Sequence, residues 1–432
     1  MKARAVSFLV VLLMGVAQAF AGSQQVIVKL DRRININIKD VARFMRGHLL
    51  DQIPSQNLFL VEVPERLAAT ARFFGVQAWE SNLRVKKLNA VQGIILNASN
   101  LTPRWYDTQP AFTRIGRPAA VQVGTGRGVV VADINSSFDY AHPALAGAFT
   151  SGYDFILARP YAVSDAILNQ ADVAFLDQAD VAFLDQADVA FLDAALIAAQ
   201  ADAATKDYLT TSGVTGVKAS TIGPQVNQSG YSHGTLCAGI IHSIAPDSMI
   251  MPLRAFDDAG DSDVFTILKA IDFAVANSAQ VINMSFGMDT DSASIRSSIQ
   301  AAVAAGITVV ASDGNKNSGT FQFPAAYPGV LSVAATDNSD NKASFSNYGS
   351  YVTVSAPGVN VISSFPGGYY AAISGTSFAA PIVAAEAALL RGLLKNPATV
   401  IPQSSVNIDG LNPAYTGTLG AGRVDLFQAV RP

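Results

Sequence analysis

Residues Gly126–Ala132 read GRGVVVA, an apolar run led by glycine, without polar alternation, closing on Asp133. A strand with one wet face alternates apolar and polar residues. A strand without alternation is buried on both faces, which places it inside a sheet covered by helices. The chain downstream supplies such elements in turn. Met249–Leu253, Val281–Met284, Thr308–Ala311, Val330–Ala335 and Tyr351–Ser355 read as further short strands. Between them, Asp263–Asn277 places Val264, Ile267, Leu268, Ile271 and Val275 at helical spacing, and Ser294–Ala305 forms a second helix stopped by Gly306. The expected fold class is therefore α/β, three layers around a mostly parallel central sheet. In such sheets the working residues lie just beyond the carboxyl ends of the strands, where Asp133, Ser285 and Asn315 fall.

Two further stretches carry chemistry. Ser232–Ile241 reads SHGTLCAGII, and Ser374–Pro381 reads SGTSFAAP ahead of the apolar run Ile382–Leu390. Small residues before Ser377 and a helix after it put a hydroxyl at a helix N-terminus, where unpaired N–H groups favour a developing oxyanion. A serine hydroxyl is a poor nucleophile near neutral pH unless an imidazole takes its proton, and a carboxylate holds the imidazole in the useful tautomer. Asp133, His233 and Ser377 supply that trio in chain order. Val309–Asn315 (VVASDGN) places the Asn315 amide after a strand, suited to an oxyanion. Val281–Gly287 (VINMSFG) leaves backbone groups with which an extended peptide pairs as an added strand. An esterase of the α/β-hydrolase kind needs a G-x-S-x-G elbow and the order Ser, acid, His, which this chain lacks.

The rest of the chain frames this unit. Residues 1–21 read as an export signal: Lys2 and Arg4, the apolar stretch Ala5–Val16, then small residues at Ala19 and Ala21. Release from the cell or into a periplasm, with no membrane anchor, is the expectation. Residues 22–98 read as a small α+β module, with strands at Gln24–Leu30 and Leu58–Val63, helices at Asp40–Leu49 and Glu65–Phe74, and later strands at Arg84–Leu88 or Ile94–Leu96. Residues 99–119 are a linker and 120–432 the main domain. Residues 170–193 are three copies of QADVAFLD. An eight-residue period makes no stable helical stripe, so a duplicated surface insertion is expected. The formal net charge of −4 gives no electrostatic case for nucleic acid. The single cysteine, Cys237, permits no disulfide within the chain. It lies four residues after His233, on the same helical face.

The motif set resembles the subtilisin-like serine peptidases, the subtilase family. Asp133-Ile134-Asn135 stands for the family's Asp-Thr/Ser-Gly, His233-Gly234-Thr235 with Ala238-Gly239 for HGTxxAG, and Gly375-Thr376-Ser377 with Ala379 and Pro381 for GTSxAxP. Ser312-Asp313-Gly314-Asn315 stands for the amide motif, and Asn283–Gly287 for the substrate strand. Gly420–Asp425 resembles the domain ending. Phe378 and Ile382 replace the family's usual Met and His. The resemblance implies a secreted serine endopeptidase acting on polypeptides through an Asp133–His233–Ser377 triad and an acyl-enzyme, with Asn315 in the oxyanion hole. It implies that 22–98 is a propeptide that assists folding and inhibits the enzyme, with maturation cleavage between about 98 and 115. Ser285, Phe286 and Gly287 would bind substrate with Ala311, Ser312 and Gly314. The pocket would prefer apolar side chains, with Phe286 narrowing it and Gln322 as its floor. No cofactor is needed for the chemistry. The resemblance allows structural calcium, with no ligands assigned. The competing expectation is an inactive binding or adhesion protein on the same fold.

Overall fold

In this computed structural model the described residues are 22–34, 36–65, 75–86, 92–96, 102–161, 202–214 and 229–432. The expected leader at 1–21, nearly all of the expected helix Glu65–Phe74, and the octads at 170–193 lie outside them. The chain divides into two compact units between Asn82 and Leu83.

The first unit is an antiparallel sheet in the order β2-β3-β1-β4, formed by β1 (Ser23–Leu30), β2 (His48–Ile53), β3 (Leu58–Pro64) and β4 (Val76–Ser81). Helix Ile38–Phe44 is capped by the Asn37 side chain, which accepts from the Lys39 N–H. Ile38 and Ala42 pack with Val26, Val28, Phe59 and Val61. The sequence reading extends this helix to Leu49. The chain instead turns at Gly47, where a Cβ would lie 2.1 Å from the Glu62 carbonyl oxygen, and enters β2.

The second unit begins with two short strands, β5 (Arg84–Lys86) and β6 (Gln92–Leu96). Its main sheet uses β7 (Val130–Asn135), β8 (Gly152–Asp154), β9 (Arg159–Tyr161), β10 (Met249–Arg254) and, after the short β11 (Asp261–Asp263), β12 (Val281–Met284), β13 (Thr308–Ser312), β14 (Val330–Thr336) and β15 (Val354–Pro357). The order is β15-β14-β13-β12-β7-β10-β8-β9, parallel except for β9. The mostly parallel three-layer expectation holds. Helices Val264–Ala276 and Ala293–Ala304 start where the sequence puts capping residues, with Asp263 accepting from the Thr266 N–H and Ser292 from the Ile295 N–H.

Two helices carry the chemistry. The His233 helix spans Ser229–Ile244 and the Ser377 helix spans Thr376–Gly392. Ile240 and Ile241 of the first, and Ile382, Val383 and Leu389 of the second, share one core with Val131, Val310, Val333 and Val354 of the sheet. A hairpin of β16 (Val361–Phe365) and β17 (Tyr369–Ser374) feeds straight into the Ser377 helix. β6 adds antiparallel to β17, and β5 antiparallel to β11.

Candidate active site

β7 runs two residues beyond the point where the sequence reading ends it. Ile134 is fully buried, and its β-branched side chain suits a strand covered on both faces, so the strand continues through Asp133 to Asn135. Residues two apart on a strand share a face, so Asp133 and Asn135 project to the same side. Asn135 therefore occupies the carboxyl end, paired in register with Arg254 of β10, while Asp133 sits opposite Asn283 of β12.

Nδ1 of His233 lies 3.0 Å from Oδ1 of Asn135. The Asn135 Nδ2 donates to both Asp133 oxygens, at 3.0 and 3.3 Å, and the Asn283 Nδ2 donates to Asp133 Oδ1 at 2.9 Å. Asp133, the expected partner of His233, thus lies in one hydrogen-bonded cluster with Asn135 and the imidazole at the carboxyl end of β7. The available signal was the strand's length: nothing in Ile134-Asn135 breaks a buried strand.

His233 reaches Asn135 because Gly234 lets the helix come close. A Cβ on Gly234 would lie 2.4 Å from the Ser137 carbonyl oxygen, so the helix could not dock with any other residue there. Thr235 secures the same junction, its hydroxyl accepting from the Asp139 N–H at 2.9 Å. Cys237 is a buried free thiol whose sulfur lies 3.4 Å from His233 Nδ1 and 3.5 Å from the Ser377 carbonyl oxygen. The Phe378 ring lies 5.2 Å from the imidazole, centroid to centroid.

Ser377 stands in the first turn of its helix. Its hydroxyl donates to the Ser285 carbonyl at 3.2 Å, and the Ser285 hydroxyl donates to the Ser377 carbonyl at 2.9 Å. Asn315 is tied to the same turn. Its Oδ1 accepts from both the N–H and the hydroxyl of Thr376, each at 2.9 Å. That fixes the amide with its oxygen on Thr376 and its Nδ2 as a donor. The Gly314 N–H in turn donates to the Thr376 hydroxyl at 3.2 Å. Ser377 and His233 are both buried in the chain as it stands.

The expected pocket residues divide. Ala311 and Ser312 end β13, and Gly314 follows with φ +109, a backbone conformation that favours glycine. Gln322 is buried, and its side chain passes between two glycines. A Cβ on Gly287 would meet its Nε2 at 2.7 Å, and one on Gly314 its Oε1 at 3.0 Å. The expected floor residue thus lies between the segments expected to line the pocket. Phe286 is fully buried, as Ala311 and Ser312 are, and its ring lies 5.0 Å from that of Phe256. Asp313 is also buried. Burial pushes its pKa well up, against the pull of Lys342, while its carbonyl accepts from the Asn347 amide.

The loop after β10 builds the neighbouring rim. The N–H groups of Ala255 and Phe256 donate to the Asn135 carbonyl, and the Asp258 carbonyl accepts from the Gly230 N–H at the start of the His233 helix. That loop continues into β11, along which β5 lies. His142, by contrast, is structural: its Nδ1 accepts from the Ala144 N–H and its Nε2 meets the Tyr369 carbonyl. Among the described residues, no group of three or more His, Cys, Asp or Glu side chains is placed to hold a metal ion.

Comparison with known proteins gives a family model, the subtilase family of peptidases, that matches residues 126–406. Subtilisin Savinase of Lederbergia lenta is 35% identical over 217 residues, covering 45% of this chain and 81% of that protein. The alkaline protease of Alkalihalobacillus alcalophilus is likewise 35% identical over 217 residues, but only 57% of its length is spanned. Among solved structures, fervidolysin from Fervidobacterium pennivorans, a keratinolytic enzyme related to subtilisin, superposes with a TM-score of 0.68. The match covers 97% of this chain and 62% of that one at 19% identity, a likeness of fold.

Proposed function

The chain belongs to the subtilase family, and from that premise we propose that it is a serine endopeptidase, secreted and made as a zymogen. The observation that carries the reading is the convergence of Ser377, His233 and Asn315 on one helix terminus. Ser377 Oγ attacks the scissile carbonyl while His233 Nε2 takes its proton. The negative charge that develops on the carbonyl oxygen is held by the Asn315 Nδ2, which Thr376 keeps as a donor, and by the Ser377 N–H. His233 then returns the proton to the leaving amine, leaving an acyl-enzyme that water hydrolyses by the same steps in reverse. An extended polypeptide substrate pairs with the backbone at Ser285–Gly287. Calcium, if bound, serves structure and takes no part in these steps.

One feature supports the zymogen reading. β5 already lies antiparallel along β11, the manner in which an extended peptide adds to an open strand edge.

A second reading, an inactive binding or adhesion protein on this fold, draws on one observation. An uncharged amide oxygen, Asn135 Oδ1, lies 3.0 Å from His233 Nδ1. One experiment separates the two: treatment of the purified chain and of Ser377→Ala with a fluorophosphonate, followed by mass measurement. Labelling at Ser377 and shortening of the parent, with neither in Ser377→Ala, is the expected result. A parent that stays full length and unlabelled under conditions that preserve its fold overturns the enzyme reading.

A further inference from the structure

We propose that β6 stays with the peptidase as the first strand of its mature form, so that maturation removes the chain only as far as a peptide bond ahead of Gln92. This rests on the zymogen reading above and deepens it by dividing what leaves from what stays. The sequence reading ends the propeptide at residue 98 and puts the cut between about 98 and 115, which would take β6 away.

β6 is the third strand of a small sheet in the order β16-β17-β6. All five of its residues pair antiparallel with β17, from Gln92 opposite Ser374 to Leu96 opposite Tyr370. Its side chains alternate between two cores. Ile95 joins the main one, with Ala371, Ile373, Phe112 and Ile382. Ile94 and Leu96 join a second, with Tyr106, Ile362, Tyr370 and Ala372. All three are buried. A strand covered on both faces is part of a core rather than a ligand laid on a surface. β17 ends three residues before Ser377 and runs directly into its helix. Stripping β6 would turn β17 into an open edge and uncover apolar surface just where the nucleophile is seated.

β5 is built the other way. It has three residues, with Arg84 exposed and Val85 buried, and it pairs along one strand of three residues. A segment held so lightly is free to depart. The interval from 98 to 115 offers no comparable place among the described residues. Arg104–Asp107 and Pro110–Arg114 are helical there. The Tyr106 hydroxyl donates to the Gly239 carbonyl of the His233 helix at 2.7 Å. The Gln109 amide donates to the Ile362 carbonyl and accepts from the Ile362 N–H, each at 2.7 Å. Phe112 and Ile115 are fully buried. A peptidase that pairs its substrate as an added strand needs an extended, accessible chain, and this stretch is neither. The step itself is hydrolysis of one peptide bond by the chemistry set out above. Water supplies the hydroxyl of the departing carboxyl group and the proton of the new amino terminus.

Amino-terminal sequencing and intact mass of the matured parent are the test. The expected mature chain keeps Gln92–Leu96. A mature chain that begins after Leu96 overturns the proposal. A substitution in β6 can change the mature enzyme only if the strand is retained. Ile95→Ala should shorten the half-life of mature activity at raised temperature at least about tenfold, and the milder Ile95→Val about two- to threefold. Half-lives equal to the parent's in both variants overturn the proposal. In the full-length Ser377→Ala chain, amide hydrogen exchange in β6 should be at least about 100-fold slower than in β5, and equal rates overturn it as well. A parent that never shortens overturns the zymogen reading instead, and the exchange rates then still decide whether β6 belongs with the catalytic unit.

Discussion

Glu386 lies inside the Ser377 helix, fully buried, with no hydrogen-bond partner for either carboxyl oxygen among the described residues. Burial pushes its pKa well above the ordinary value of 4.5, and the nearby Asp425 adds to the rise. The folded chain therefore keeps a proton on Glu386 at pH values where the unfolded chain has released it. With more protons bound in the native state, stability is unaffected below the unfolded pKa and falls as pH rises above it, until the folded pKa is reached. One such group lowers stability by about 1.4 kcal/mol per pH unit across that window. Asp313, also raised by burial, contributes with the same sign. Glu386→Gln removes one of the two contributions, so its stability curve should be shallower than the parent's by about 1.4 kcal/mol per pH unit. Glu386→Met also removes the unpaired polar group and should be more stable than the Gln variant by about 1–3 kcal/mol. The assay is guanidinium unfolding between pH 5 and about 8, in a Ser377→Ala background to prevent self-digestion. Trp79 and Trp105 lie in different units, so Trp79→Phe makes the fluorescence report the second unit alone. Parallel curves for the parent and Glu386→Gln over this range would refute the reasoning.

Three further outcomes are expected. Asp340 is buried and takes Arg114 at 2.5 Å and the buried Arg423 at 2.9 Å, so Asp340→Ala strands a guanidinium and should cost about 3–5 kcal/mol, seen as a lowered guanidinium midpoint. Asn315→Ala removes an oxyanion donor and should lower kcat by about 10²–10³ with little change in KM, measured on a chromogenic peptide. Gln322→Gly should admit larger side chains before the scissile bond and raise kcat/KM for aromatic over small residues about tenfold or more, since the side chain lies between Gly287 and Gly314; peptide substrates varied at that position report it.

The sheet was legible in the sequence because its strands are short apolar runs that break sharply. Val281–Met284 matches its strand residue for residue, and the helices read at Asp263–Asn277 and Ser294–Ala305 are found at Val264–Ala276 and Ala293–Ala304. β7 was harder. Asp133 looks like punctuation, yet a carboxylate with amide partners on both sides can sit inside a buried strand, and Asn283 is brought there only by tertiary pairing. No local pattern reports that contact. The β16–β17 hairpin had a readable sign in Gly367 and Gly368, both with positive φ at its tip, but its strands are rich in serine and alanine and lack a strong apolar signature. The burial of the Phe286 ring depends on Phe256, distant in sequence, and was likewise beyond local reading.

The strand at Asp261–Asp263 has a bearing on how the protein behaves in concentrated solution. An open sheet edge invites other chains to add to it, and long apolar edges seed aggregates. This edge is three residues long and carries an aspartate at each end. While Arg84–Lys86 lies along it, it is filled. Were that segment released, the freed edge would be too short and too charged to template copy upon copy, yet would still offer backbone groups to one passing peptide. The chain can thus expose a docking edge that is a poor template for its own aggregation.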